Sequence, residues 1–252
     1  MSAFLCVLQP DPVRPPAGAV AEQPGAGPHA GFAPLEQSLL WLGPNAAADR
    51  ATGSSEETLF VLEGDGALCA GGRDHPIETE SGASLAPGQE YELAAGAQGL
   101  RVVAVRIPDP VSPADATENT APVVRRLADQ TAQDATTERQ FRIVSDPRSG
   151  LQSATHFVGY IPPTRAPEHF HTYDEVIYVL EGLGVFHADG APQPIAAGTC
   201  IGLPARKVHC LENTGEDVMR VVAVFRPAGS PAAAYYPDGT PAFPGIAAAT
   251  QT

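Results

Sequence analysis

The chain is almost without lysine: Lys207 is the single one in 252 residues. It also has one tryptophan and four cysteines, and no apolar run approaches the roughly 20 residues that cross a bilayer. Each shortage excludes something. Fifteen Lys and Arg against 29 Asp and Glu give a formal net charge of −14, which argues against nucleic acid and anionic membrane, since both demand a basic face. Cys6, Cys69, Cys200 and Cys210 show no CxxC spacing, so reduced thiols in a cytoplasm fit better than a disulfide framework or a zinc knuckle. The opening MSAFLCVLQPDPVRPP lacks a basic leader and a small-residue cleavage site, and no signal peptide is expected.

What is present is punctuation. Twenty-six prolines and 25 glycines separate short β-type segments such as SLLWLG, TLFVLEG, LRVVAVRI, QFRIVS, ATHFVGYI, EVIYVLEG, LGVFHA and MRVVAVFRP. A helical period of comparable length is missing, apart from a possible short helix near ENTAPVVRRLADQ. Many short strands between turn signals predict an all-β barrel or sandwich.

The segments also repeat. TLFVLEGDG (58 to 66) matches VIYVLEGLG (176 to 184), and LRVVAVRIPDP (100 to 110) matches MRVVAVFRPAGSP (219 to 231). The offset is 182 − 64 = 118 at the shared glycine and 221 − 102 = 119 at VVAV. Offsets held across more than 50 residues predict two copies of one β unit rather than chance likeness of apolar strands. The expected organisation is a Pro/Gly-rich arm over 1–34, a first barrel over 35–110 and a linker over 111–140. A second barrel follows over 141–230, then a tail over 231–252.

Chemistry concentrates in PEHFHTYDEVIYVLEG, residues 167 to 182. In an extended segment His169 and His171 share a face and Phe170 takes the other. Glu175 opens the next strand after a short turn, and His209 arrives later, in AGTCIGLPARKVHCLENTG. Two imidazoles and a carboxylate, joined by a third imidazole, suit one divalent transition metal: Fe, Mn, Ni, Co, Cu or Zn. A lone His209 would more often be a satisfied polar residue; the joint spacing raises the metal reading.

These residues carry a resemblance. HFHTYDEVIYVLEG is similar to the first motif of the cupin superfamily, through His169, His171, Glu175 and Gly182. GTCIGLPARKVHCLEN resembles the second, through Gly198, Pro204, His209 and Asn213. Two glycines usual in the motifs are Pro163 and Arg206 here, both at loops rather than ligands. The resemblance implies two tandem cupin (double-stranded β-helix, or jelly-roll) barrels, and a prior for a homodimer. It also implies a metal held by three histidines and a glutamate, as in oxygenases, decarboxylases, isomerases and hydrolases. The ureidoglycine aminohydrolases are similar in arrangement, as bicupins with a silent first barrel, but their ligand order begins with the carboxylate.

At an offset of 118, His169, His171, Glu175 and His209 fall on Ala51, Gly53, Glu57 and Tyr91, so the first barrel is expected to hold no metal. Glu57 is expected to be a helper at the barrel mouth or a solvated residue. If alternation holds through His209, Lys207 and Leu211 face inward with it, while Val208 and Cys210 face away. Arg165 could reach the rim. A cation beside a metal predicts a small anionic substrate, though Lys207 and Arg206 could equally neutralise an acidic surface. Tyr173, Tyr160, His156 and His187 are further pocket candidates, and Cys200 reads as a small buried apolar residue. The functional expectation is a metal-dependent oxygenase, of the dioxygenase type, acting on a small polar anion. The alternatives are a non-redox isomerase, decarboxylase or hydrolase, or a non-enzymatic binding module. Retention of four ligand-type residues in one copy, with three lost from the other, favours catalysis.

Overall fold

The computed structural model describes residues 5–10, 14–110, 121–136, 138–189 and 191–243. Among them are eighteen strands and two single turns of 3-10 helix, all pairings being antiparallel, so the all-β expectation holds. No helix among the described residues is long and apolar enough to cross a membrane.

The first barrel is one sheet folded on itself. Its two long strands, β5 (Glu56–Ala70) and β8 (Glu90–Ile107), pair along most of their length. Register shifts at Val61/Glu63 and Gly64/Gly66 let them bend from one wall to the other. Around them lie β2 (Val20–Pro24), β3 (Glu36–Leu42), β4 (Ala47–Ala51), β6 (Arg73–Glu78) and β7 (Ser81–Leu85). The second barrel divides the same path between two sheets. One contains β11 (Gln140–Ser145), β12 (Thr155–Ile161), β13 (Asp174–Glu181), β16 (Cys200–Leu203) and β18 (Met219–Arg226). The other contains β14 (Leu183–Ala188), β15 (Ala191–Ala196) and β17 (His209–Asn213).

The glycine shared by both copies of VLEG sits where this path turns. Gly64 and Gly182 have φ of 88° and 92°. A Cβ at Gly64 would lie 2.1 Å from the Gly99 carbonyl oxygen, and one at Gly182 2.9 Å from Met219 Cα. Left-handed backbone and close approach of the facing strand both require the bare residue.

Strand exchange ties the copies together. The strand β1 (Cys6–Leu8) does not join the first barrel; it pairs with β16 of the second, Cys6 opposite Gly202. Reciprocally, β9 (Val123–Arg126) pairs with β7 of the first, Arg125 opposite Gly82. The two events are related by 125 − 6 = 119 residues, the offset of the repeat. The residues read as an arm and a linker thus each contain one strand, β1 and β9, that finishes the opposite barrel, while β2 of the arm pairs with β3 of the first barrel. The helix expected near ENTAPVVRRLADQ is instead β9 followed by a 3-10 turn over Leu127–Asp129, because paired β-branched Val123 and Val124 continue a sheet edge. The 111–120 part of that segment lies outside the described residues. The strand β10 (Ala132–Asp134) then leads by a hairpin into β11.

Between the barrels runs a shared core. Phe32, Phe60, Val103 and Val105 of the first copy pack in one cluster with Val158, Val176, Val222 and Val224 of the second. Each such side chain contributes about 1.5–3 kcal/mol on full burial. Polar ties cross the seam: Glu56 accepts from the backbone N–H groups of Gln152 (2.6 Å) and Ser153 (2.9 Å), and Thr58 meets His156 Nδ1 at 2.7 Å. The cysteines of the described residues are free thiols, and Cys200 lies in this shared core, as expected.

Candidate metal centre

The pair of histidines is set by one bridge. His169 and His209 exchange backbone hydrogen bonds (His169 N to His209 O 3.0 Å, His209 N to His169 O 2.8 Å), which hooks the segment before β13 onto the start of β17. His169 and His171 then enter one cavity, while Phe170 stacks on Tyr235 with ring centroids 5.6 Å apart. The ring centroids of His169 and His209 are 4.5 Å apart, those of His171 and His209 5.2 Å. One potential ligand atom from each of the three lies within 4.8 Å of the others.

The hydrogen bonds on the far side of each ring decide what the near side offers. Nδ1 of His169 meets the Pro167 carbonyl at 2.8 Å, that of His171 the Ala233 carbonyl at 2.9 Å, and that of His209 the Lys207 carbonyl at 2.9 Å. A carbonyl only accepts, so each Nδ1 carries the proton and each Nε2 is left with a lone pair. Three such lone pairs in one small volume, oriented from behind by backbone, are the donor set a borderline divalent metal takes. Burial depresses the basicity of all three rings and carries His171 to about 3; repulsion from neighbouring imidazoles adds to it at His171 and His209, and the Arg139 charge lowers all three further.

Glu175 lies on β13, opposite Leu203 and Phe225, and lines the same cavity. Its carboxylate is outside the close three-histidine group. Burial raises its pKa to about 8, the state of a carboxyl with no cation beside it. Tyr173 is buried and stacks between His171 (4.6 Å) and Phe225 (3.8 Å), with its hydroxyl donating to the Pro231 carbonyl at 3.4 Å. It is a plate behind His171. The chain after β18 closes the mouth: Pro231, Ala232 and Ala234 line the cavity, and Phe170 and Tyr235 exchange backbone bonds. So the start of the expected tail is part of the site.

Other expected residues are elsewhere. Lys207 sits in the turn before β17, where strand alternation does not reach; it pairs with Asp189 and lines a separate surface hollow. Arg165 is exposed, its backbone in an isolated β-bridge with Glu212, and does not line the cavity. His187 pairs with Glu212 at 2.7 Å, His156 lies in the seam between barrels, and Tyr160 does line the cavity. Asn213 bonds the Ile161 and Asp217 carbonyls and holds the loop after β17. Arg206, where the motif usually has glycine, has φ 62° and donates its N–H to the His171 carbonyl at 2.7 Å. The cation the cavity does contain is Arg139, which no spacing had marked.

In the first barrel the equivalent position is filled differently. Arg50 faces Tyr91 in register as His169 faces His209, so the true counterpart of His169 is Arg50, one place before Ala51. Its guanidinium bonds the Tyr91 hydroxyl at 3.0 Å, Glu57 at 3.2 Å and Glu22 at 3.2 Å. Glu57 is fully buried, with Arg106 a further 3.7 Å away. It is therefore not solvated. An arginine supplies, inside this barrel, the positive charge its carboxylate needs.

Residues 156–225 match the model of the Cupin domain family. Over most of its length, the chain is similar to the solved structure of Ylba from E. coli, with a TM-score of 0.71 at 14% identity, covering 90% of this chain and 92% of that one. The fold is that of the cupins. A variant of Bacillus subtilis oxalate decarboxylase is similar at a TM-score of 0.69 and 14% identity, over 91% of this chain and 79% of that one. In sequence, the oxalate-binding protein of Thermotoga maritima is 40% identical over 50 residues, which span 20% of this chain and 41% of that protein.

A pH dependence follows for the chain without metal. Buried neutral histidines, His156 and His171 at about 3 with His169 and His209 also depressed, contribute stability above the unfolded value near 6.5 and lose it as pH falls toward 3. Glu175, raised to about 8, does the opposite: its contribution is present at low pH and lost as pH rises from about 4.5 to 8. The melting temperature of chelated protein is expected to peak near pH 6.5 and to fall on both sides. A monotonic profile between pH 4 and 8 would contradict it.

Proposed function

We propose that this chain is a metal-dependent tandem-cupin oxygenase acting on a small anionic metabolite. One divalent transition metal is held by His169, His171 and His209, with Glu175 as fourth ligand. The observation that carries the reading is the commitment of all three Nδ1 atoms to backbone carbonyls, which leaves three lone pairs converging on one cavity. Glu175 supports it, because a buried carboxyl with a raised pKa is what a cation in this cavity would ionise. A bound metal would supply a Lewis acid with open positions for substrate and O₂. The chain's own part is to fix the imidazoles, stack Tyr173 behind His171 and limit water with apolar walls.

A second reading is a non-redox reaction such as decarboxylation; the short match to an oxalate-binding protein supports a small carboxylic acid as the ligand under either reading. Protein purified without chelators is expected to carry about one transition metal per chain and to consume O₂ with at least one member of a panel of short carboxylic acids. Two metals per chain, or none after reconstitution, overturns the one-site reading. Full metal with CO₂ release and no O₂ uptake selects the second.

A further inference from the structure

Arg139 stands at the end of the β10–β11 hairpin, immediately before β11 and two residues before Phe141, and both line the cavity. It is the one Lys or Arg among the residues lining the cavity of the three histidines. Its Nη2 donates to the Leu211 carbonyl, and its Nε is buried without any partner. A carboxylate pairing with it is absent among the described residues, although seven other cations, from Arg14 to Arg220, each have one. A half-buried guanidinium with a buried donor left over costs free energy unless an anion completes it, and its planar fork matches a carboxylate.

The rest of the wall limits the ligand. Phe141, Phe157, Ile161, Ile177, Leu211 and Val221 supply most of it, around a space of about 90 Å³, enough for several water-sized groups. A second carboxylate lying off the metal would meet hydrocarbon rather than a second cation.

We propose that Arg139 is the specificity-determining residue of this cavity, and that its ligand is a small monocarboxylate with an apolar carbon body. The inference rests on the cavity being the substrate site, and it deepens that reading by naming the class. The fork of Arg139 receives the carboxylate while the carbon chain lies on the Phe141–Phe157 wall and extends toward the imidazoles. Oxalate, which has no apolar body, is the wrong shape for it.

Calorimetry on the full chain, loaded with Zn²⁺ and separately after chelation, would compare butyrate, butyramide and oxalate. Butyrate is expected to bind at least tenfold more tightly than butyramide, from the charge-assisted bonds only the carboxylate can accept. Arg139→Gln is expected to erase that preference, and Arg139→Lys to keep part of it, with zinc content unchanged in both. Equal affinity for butyrate and butyramide, a preference that survives Arg139→Gln, or oxalate bound more tightly than butyrate overturns the proposal. Wild-type protein that takes no metal yet still discriminates through Arg139 would refute the metal reading and leave this one standing.

Discussion

His209→Ala is expected to take metal occupancy from about one per chain to near zero while the protein stays folded. The His209 ring lies 4.5 Å from that of His169 and 5.2 Å from that of His171, and it is buried at the start of β17. Removing one of three converging nitrogens leaves a site unable to hold a transition metal at ordinary concentrations. The fold does not depend on the ring, because the bridge to His169 is made by backbone and the barrel core lies among Phe186, Ile201, Val221 and Phe225. Metal analysis beside circular dichroism checks both halves. Tyr173→Phe, which keeps the stacked ring and loses only a 3.4 Å hydroxyl contact, is the matched control that should remain loaded. Full occupancy in His209→Ala would mean that the metal sits elsewhere.

In the first barrel the largest effect is expected from Arg50→Met. The variant keeps much of the side-chain volume and removes the charge that faces Glu57, Glu22 and Tyr91. Glu57 would then be fully buried with only Arg106, more distant at 3.7 Å, near it. Breaking a buried pair from one side typically costs about 3–5 kcal/mol; with Arg106 remaining, about 3 kcal/mol is expected in denaturant unfolding. Pairing it with Glu57→Gln should recover a large part, since neither partner is then left alone. The metal content of the second barrel should not change. A loss under 1 kcal/mol in Arg50→Met would show that the ion pair is solvated in solution.

The parts of this architecture visible in sequence were those written in short-range spacing. Period-two apolar runs marked strands, VLEG and VVAV marked the repeat, and His-x-His with a later histidine marked the metal cluster. What stayed hidden depends on pairings between distant segments. Arg139 sits 30 residues before His169 on a hairpin whose inward direction only the β11 register reveals. Lys207 was misplaced because strand geometry begins at His209, two residues later, and a turn does not alternate. Arg50 was overlooked by one position, since the repeat's offset changes from 118 to 119 between neighbouring strands. Exchange of β1 and β9 is a matter of which edge each strand finds, and both edges offer similar apolar partners.

That exchange also says what the chain resembles as an assembly. Each repeat begins with a strand that has no seat in its own barrel and ends with a sheet edge that only the other repeat's strand covers. One repeat alone would have an open edge and a loose leading strand, and two identical copies would satisfy one another by a twofold exchange. The tandem chain is in this sense a covalently joined swapped dimer. The join made the halves free to diverge: one half kept its imidazoles, and the other put an arginine where the first of them stands.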